Sequence, residues 1–256
     1  MIETSQTGRV LRIALNRPEK RNALSVELCR ALVTAVESGE ADPGVGAILL
    51  TANGPSFCAG MDLVELERVD YNQLDQVHAQ LFTMGLRAVK PIIAAVHGPA
   101  LGGGTGLVAN CHIVIASEAA TFGLTEIRLA MWPFLIYRAT VAALGDRRTM
   151  ELALSGRIFG AREAVGMGLA HEVAEDPAAR AAEVAATVAG YSPSSIRTGM
   201  MFVQDMNERG WKHGDEIARL VRKDVFESDD FREGVAAFRQ KRPARWPSIE
   251  NVPDKM

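Results

Sequence analysis

Two short stretches of small residues could place bare backbone amides around a reacting group. The first is "FCAGMDL", residues 57–63, and the second is "HGPALGGGTG", residues 97–106. Glycine and alanine leave backbone N–H groups uncovered, and a helix that begins at such a loop adds its positive end. A loop of this kind can bind a phosphate, or a carbonyl oxygen that becomes anionic during reaction. The glycines alone are equally typical of a tight crossing from strand to helix.

Known phosphate-binding and hydrolase fingerprints do not fit these loops. GxxxxGK[ST] is absent, and GxGxxG from Gly102 fails because Leu107 stands where the last glycine is required. His97 suggests a serine hydrolase with a nucleophile such as Ser56. No GxSxG elbow accompanies it, however, and a single histidine at a strand end is more typical of a structural residue. The carbonyl-binding and the structural interpretations of the loops therefore remain.

The elements that must position these loops are predicted to alternate between strands and helices. Apolar runs bounded by glycine or proline predict buried parallel strands. They cover residues 45–51, 91–98 and 112–117, after a first strand within 8–18. Helical spacing predicts a helix capped by Ser25 and another over residues 74–89. Strands alternating with helices over the first 120 residues indicate βαβ units, and hence an α/β fold.

The second half of the chain is predicted to be mostly helical. Capping or first-turn residues mark the expected helix starts at Asp146, Pro177, Ser192 and Ser228. We therefore expect an α/β core over residues 1–195 and a helical C-terminal region over residues 196–256.

Composition narrows the class of protein. The chain has 256 residues, of which 48% are hydrophobic and 23% charged, as in an ordinary globular protein. The net charge of −3 argues against a nucleic-acid or membrane-surface binder. Three cysteines without disulfide or metal-site spacing predict a reducing compartment and no bound metal. With no signal peptide and no apolar run of ~18 residues, we expect a cytoplasmic protein.

Five motifs in order resemble the enoyl-CoA hydratase/isomerase (crotonase) superfamily. They are "NRPEKRNALS", "SFCAGMDL" with the later GxxxGGG, "TFGLTEIRLAMWP", "ELALSGRIFGAREAVGMGLAHEV" and "EGVAAFRQKRPARW". The resemblance covers nearly the whole chain. It implies a crotonase-like ββα spiral core with two roughly perpendicular sheets, and a helical C-terminal region that builds a trimer.

The resemblance also implies a chemistry for the two loops. Family members act on acyl-CoA thioesters through an enolate, and two backbone N–H groups stabilise its oxygen. By position these belong to Met61 and Gly103, and each such donor typically contributes ~2.7–4 kcal/mol to transition-state stabilisation. The proton-transferring carboxylate of the "FGxxE" segment is Glu126. The family's other glutamate, three residues after the oxyanion glycine, is replaced by Gly106.

A single glutamate favours an enoyl-CoA isomerase, in which one carboxylate removes a C2 proton and returns it at C4. Hydration is the alternative, with Thr105 as a weak candidate for positioning water. A CoA-binding protein that has lost catalysis is a further alternative, suggested by Gly106 and by the bulky "WPF" of residues 132–134. Trp132 and Phe134 could narrow the acyl pocket.

The resemblance predicts where coenzyme A binds as part of the substrate, without a separate cofactor. The implied substrate-binding residues are Lys20, Arg21, Ala23, Leu24, Ala59, Asp62, Leu63, Phe238 and Lys241. Phe238 and Lys241 are expected to reach a neighbouring subunit's CoA in a homotrimer or a dimer of trimers.

Overall fold

The computed structural model describes residues 1–65, 68–209 and 214–250. Its main sheet has six strands in the order β1-β2-β3-β4-β6-β9, and a second sheet has the order β5-β7-β8. The strands are β1 (Ile2–Thr7), β2 (Val10–Leu15), β3 (Ala47–Ala52), β4 (Ile92–Val96), β5 (Ala100–Leu101), β6 (Ile113–Ala116), β7 (Thr121–Gly123), β8 (Phe159–Gly160) and β9 (Glu172–Val173).

The helices of the described residues follow the predicted alternation and then dominate the second half. They are α1 (Val26–Ala41), α2 (Tyr71–Leu81), α3 (Met84–Arg87), α4 (Gly103–Ala109), α5 (Phe134–Leu144), α6 (Asp146–Ser155), α7 (Ala161–Met167), α8 (Pro177–Ala189), α9 (Pro193–Arg209), α10 (Gly214–Glu227), α11 (Asp229–Gln240) and α12 (Pro247–Glu250). The α/β class and the helical C-terminal region are confirmed. No described helix is both long and apolar enough to cross a membrane.

The main sheet is parallel from β2 to β9, as the apolar runs predicted. Its first strand, β1, was not predicted and pairs antiparallel with β2 through a turn at Gly8. The side chains of β1 are mostly exposed and polar, so this edge strand lacks the apolar run that marks the others. Neighbouring residues of β3 contribute to different cores, because Ile48 and Leu50 belong to one cluster and Leu49 belongs to the other. Beyond the edge strand β1, the sheet is therefore buried on both faces.

Helix boundaries agree with most capping predictions. The hydroxyls of Ser25 and Ser228 accept hydrogen bonds from the first turns of α1 and α11. Asp146 is the first residue of α6 and not its cap, which is Gly145. The single helix expected over residues 74–89 is wrong, because the chain forms α2, which Asp70 caps, and a separate short α3.

The C-terminal region is attached to the core through polar contacts. The Asp230 carboxylate on α11 accepts hydrogen bonds from the hydroxyls of Ser192 and Ser248. The indole N–H of Trp246 donates to the Gly190 carbonyl, 2.7 Å away. The predicted boundary between residues 195 and 196 falls inside α9. Residues 210–213 and 251–256 of the predicted C-terminal region lie outside the described residues.

Candidate active site

The two small-residue loops lie side by side. The Cys58 N–H donates to the Pro99 carbonyl at 3.1 Å, and the Leu101 N–H donates to the Cys58 carbonyl at 3.0 Å. A Cβ added to Gly104 would lie 2.2 Å from the Cys58 carbonyl oxygen. A side chain at Gly104 would therefore force the loops apart, so part of the glycine trio is explained by close packing.

Two backbone amides remain unused where the loops meet. The Leu24 N–H donates to the Gly60 carbonyl, and the Asp62 N–H donates to the Leu24 carbonyl. In this parallel bridge the N–H of Met61 points away from Leu24, and no described residue accepts it. Gly103 is the first residue of α4, where an N–H has no acceptor inside the helix. Both amides can thus bind an oxygen atom.

Glu126 follows β7 in a 3-10 turn that ends at Leu129. Its position relative to the glycine trio is fixed, because the Gly102 N–H donates to the Gly123 carbonyl at 2.8 Å. A Cβ on Gly102 would lie 3.1 Å from Oε1 of Glu126, and Gly102 has a φ of +52°. Space and backbone conformation both favour glycine at this position.

The environment of Glu126 suits a proton-transfer group. Burial raises the pKa of its carboxyl, and a weaker effect of its own backbone amide lowers it. Oε2 is buried without a hydrogen-bond partner among the described residues. A carboxyl group in such surroundings keeps its proton closer to neutral pH, where it can give and regain that proton during reaction.

The amides and the carboxyl group line one cavity of about 470 Å³. One side of it, the α2 wall, is formed by Leu74, Asp75, His78 and Phe82. The other, the α5 wall, is formed by Leu129, Met131, Trp132, Pro133, Phe134, Leu135 and Ile136. A mostly apolar cavity with a few convergent polar groups is typical of a small-molecule site. Among the described residues, no cluster of three or more His, Cys, Asp or Glu side chains could hold a metal ion.

The model of the family described as "Enoyl-CoA hydratase/isomerase" matches residues 5–249. The chain belongs to this family. A protein of Thermus thermophilus, provisionally named an enoyl-CoA hydratase, is 37% identical over 251 residues, which cover 94% of this chain and 98% of that protein. A mevalonyl-coenzyme A hydratase of Aspergillus fumigatus is 35% identical over 257 residues, covering 94% and 92% of the two chains.

Solved structures agree with this assignment. The enoyl-CoA hydratase of Bacillus anthracis superimposes with a TM-score of 0.89 at 30% identity, over 96% of this chain and 99% of that one. The crotonase-type fold expected from the motifs is therefore confirmed. The names of these relatives favour hydratase over isomerase.

The position of the family's second glutamate has no room for a side chain. A Cβ on Gly106 would lie 2.2 Å from Cγ2 of Ile136, because α5 packs directly against α4. The Thr105 hydroxyl is also committed elsewhere, since it lies 2.7 Å from the Ala100 carbonyl oxygen and accepts the Gly123 N–H. Thr105 is completely buried, so the suggestion that it positions water is wrong.

Some predicted substrate-binding residues surround the cavity and others do not. Ala59 and Leu63 line it. Lys20 and Arg21 are exposed on the adjacent loop. The Ala59 N–H donates to the Arg21 carbonyl at 3.0 Å, and this hydrogen bond holds the loop in place.

The remaining residues of this loop lie deeper. Leu24 is completely buried beneath Gly103, and Ala23 is partly buried beside it. Their substrate contacts stay predictions.

The Asp62 side chain forms a largely buried ion pair with Arg17, at 2.6 Å. Burial opposes ionisation of Asp62, but Arg17 and two backbone amides outweigh it and hold the pKa of the carboxyl below its usual value. Arg17 also donates to the Ala23 carbonyl at 3.1 Å. The pair therefore fastens the loop with Lys20 and Arg21 to the segment that carries Met61.

Phe238 and Lys241 lie at the end of α11 and do not line this cavity. Phe238 is 85% exposed, and Lys241 is exposed as well. Their expected contact with a neighbouring subunit's CoA stays a prediction.

Sequence reasoning missed the α2 wall. Leu74, His78 and Phe82 are spaced four residues apart, so they share one face of a helix and its end. A histidine in the middle of that apolar face was the available signal. His97, by contrast, lies 2.8 Å from the Gly54 carbonyl oxygen and does not line the cavity, which agrees with a structural role.

Proposed function

We propose that this protein hydrates 2-enoyl-CoA thioesters through an enolate, with Glu126 as the residue that protonates C2. The observation that carries the proposal is the Glu126 carboxyl group, which has a raised pKa and shares one cavity with two backbone amides; one of its oxygens and both amides lack a partner among the described residues. The hydratase names of the relatives support hydration as the reaction.

The two backbone amides and Glu126 would have separate roles in this reaction. The amides of Met61 and Gly103 bind the thioester oxygen and stabilise the charge that it gains as water adds to C3. Each donor of this kind typically contributes ~2.7–4 kcal/mol at the transition state. Glu126 then gives its proton to C2, and the proton that the added water releases returns to the Glu126 carboxylate. The product carries the hydroxyl at C3 and the new hydrogen at C2.

The coenzyme A part of the substrate is proposed to lie along the loop of residues 17–24. Lys20 and Arg21 are exposed cations that suit its phosphates, and Ala59 and Leu63 lead from this loop into the cavity. Phe238 and Lys241 of a neighbouring subunit are proposed to complete the site in a homotrimer.

Isomerisation of 3-enoyl-CoA is the second candidate. Gly106 supplies no carboxylate, and Ile136 fills the adjoining space. One carboxylate is sufficient to remove a proton from C2 and return it at C4, whereas hydration also requires a group that activates water.

The test is turnover of purified protein on trans-2-enoyl-CoA and trans-3-enoyl-CoA, beside Glu126→Gln. We expect hydration by the wild type and a loss of roughly 10²- to 10⁴-fold in the variant, the usual contribution of general acid–base catalysis. The control is Glu118→Gln, because Glu118 is an exposed glutamate paired with Arg162 on the surface.

Each alternative result has a distinct meaning. Full hydration by Glu126→Gln would show that another group protonates C2. Conversion of only the 3-enoyl thioester would establish the isomerase. Binding of acyl-CoA without turnover of either substrate would leave a CoA-binding protein.

A further inference from the structure

The described residues contain four buried side-chain polar atoms without a hydrogen-bond partner: Thr51 Oγ1, His78 Nε2, Glu126 Oε2 and Thr149 Oγ1. Two of these four belong to residues that line the same cavity, Glu126 and His78. Buried polar groups in proteins are nearly always satisfied, so an unpaired one in a cavity wall indicates a partner that arrives with the ligand or with water. His78 therefore resembles Glu126 in location, and its Nε2, like Oε2 of Glu126, has no hydrogen-bond partner among the described residues, although the Leu24 backbone is close enough to influence the pKa of the ring.

The His78 ring is held in place by its neighbours. It is 6% exposed, and its centroid lies 5.6 Å from that of the Phe82 ring. Phe82 in turn packs under the glycine trio, because a Cβ on Gly103 would lie 3.1 Å from its Cζ. Packing thus connects the imidazole to one of the two unused amides.

We propose that His78 is the second proton-transfer group of this site and accepts a proton from the water that attacks C3. This proposal rests on hydration as the function proposed above. His78 would supply from α2 what the glutamate missing at Gly106 would otherwise supply from α4.

The charges around His78 favour a neutral imidazole. Burial lowers its pKa, while Asp75 on the same helix and the Leu24 backbone raise it to a lesser extent. Glu126 is the ionisable group of the cavity outside α2, and its pKa is shifted upward. Burial thus favours the neutral imidazole, which can accept a proton, and the protonated carboxyl group, which can give one, and pKa values shifted apart are typical of an acid–base pair.

The proton balance closes without any additional reactant. Water forms the C3–O bond and loses one proton to Nε2 of His78, while the C2=C3 double bond shifts its electrons toward the thioester oxygen. The enolate then takes the Glu126 proton at C2. His78 is left protonated and Glu126 ionised, and transfer of one proton between them, directly or through solvent, restores both.

A reaction that needs no water addition separates this role from a structural one. Exchange of the C2 hydrogens of butyryl-CoA with D₂O requires Glu126 and the two amides, but not a base for water. We expect His78→Gln and His78→Phe to lower kcat for crotonyl-CoA hydration by roughly 10²-fold or more and to leave C2 exchange within a few-fold of wild type. His78→Phe retains an aromatic ring against Phe82. The control His97→Gln should change neither reaction.

The pH profiles of wild type and His78→Gln provide a second test. Hydration by the wild type should fall on the acid side as His78 becomes protonated, at a pH below the ordinary histidine value of ~6.5. Exchange at C2 also falls on the acid side, because Glu126 must be ionised to remove a C2 hydrogen, so the His78→Gln variant should change the acid side of the hydration profile and leave that of the exchange profile unchanged.

The outcomes are distinguishable. Equal loss of hydration and exchange in both variants would assign His78 a structural role, and full hydration by either variant would exclude it as a base. A wild type that exchanges C2 hydrogens but never hydrates crotonyl-CoA would overturn the proposed hydration, and the water-activating role with it.

Discussion

The two walls of the cavity differ in both chemistry and exposure. The α2 wall carries two ionisable side chains, Asp75 and His78, among apolar residues, whereas the α5 wall carries none. Leu74, His78 and Phe82 are buried, but on the α5 wall Phe134 is 77% exposed and Leu129 is also exposed. The α2 wall is therefore packed tightly around His78, whose Nε2 has no partner among the described residues, and the α5 wall exposes an apolar surface around Leu129 and Phe134 although Ile136 is buried.

This difference indicates that the two walls have different functions. A buried polar group that packing holds in one orientation can act on the reacting atoms, because its geometry is fixed before the substrate arrives. Exposed apolar side chains gain most when a ligand covers them. We expect changes on the α2 wall to alter kcat, and changes on the α5 wall to alter the preferred acyl chain.

The largest effect is expected where the α5 wall meets α4. Gly106→Glu would restore the family's second glutamate, but the new side chain would overlap Ile136. We expect the free energy of unfolding in urea to fall by about 3 kcal/mol, the upper end of the usual cost of overpacking. Ile136→Ala in the same chain should recover part of that loss, because the two positions are in contact. A stable, more active Gly106→Glu protein would contradict the view that α5 closes this position.

An intermediate effect is expected at the open end of the α5 wall. Phe134→Ala should change the free energy of unfolding by no more than about 0.5 kcal/mol from the wild-type value, since the side chain is exposed. It should raise KM roughly tenfold for long-chain enoyl-CoA and little for crotonyl-CoA, because only a long chain would cover Phe134. The measurement is KM against acyl chain length.

Lys241→Ala is the matched comparison for this experiment. Lys241 does not line the cavity, and its proposed contact is with the CoA of a neighbouring subunit. Its loss should raise KM equally for all chain lengths. A chain-length dependence in Lys241→Ala, or its absence in Phe134→Ala, would remove the distinction between acyl and nucleotide recognition.

The smallest effect concerns the ionisation of Glu126 beside the uncharged α5 wall. Because burial raises its pKa, the folded state binds this proton more tightly than the unfolded state does. The resulting stabilisation is complete below pH ~4.5 and is lost as pH rises through the folded-state pKa. Glu126→Gln should therefore have a higher Tm than wild type at pH 8, and the difference should vanish at pH 4. An equal Tm difference at both pH values would show that ionisation is not its cause.

The motifs predicted the residues that depend on local spacing. Met61, Gly103 and Glu126 lie in short motifs after strands, and their roles were inferred from the resemblance of those motifs to the family, so these roles stay predictions. The buried parallel strands were equally visible, because burial on both faces demands continuous apolar runs.

Features that depend on tertiary packing were not predicted. Arg17 and Asp62 are 45 residues apart, and only the meeting of their loops makes them an ion pair. The role of Ile136 beside Gly106 likewise appears only when α5 packs on α4. In the sequence, His78 is one position of an amphipathic helix. Only the folded structure shows that the face of α2 with His78 lines the cavity.

The bond from the Gly102 N–H to the Gly123 carbonyl, reinforced by Thr105, joins the loop of residues 97–106 to the strand that leads into Glu126. The exposed residues of the α5 wall, Leu129, Met131, Phe134 and Leu135, lie beyond this junction along the chain. In evolutionary terms, the two parts can change at different rates. Substitutions in residues 129–135 can adapt the protein to new acyl groups while its reacting centre is inherited intact.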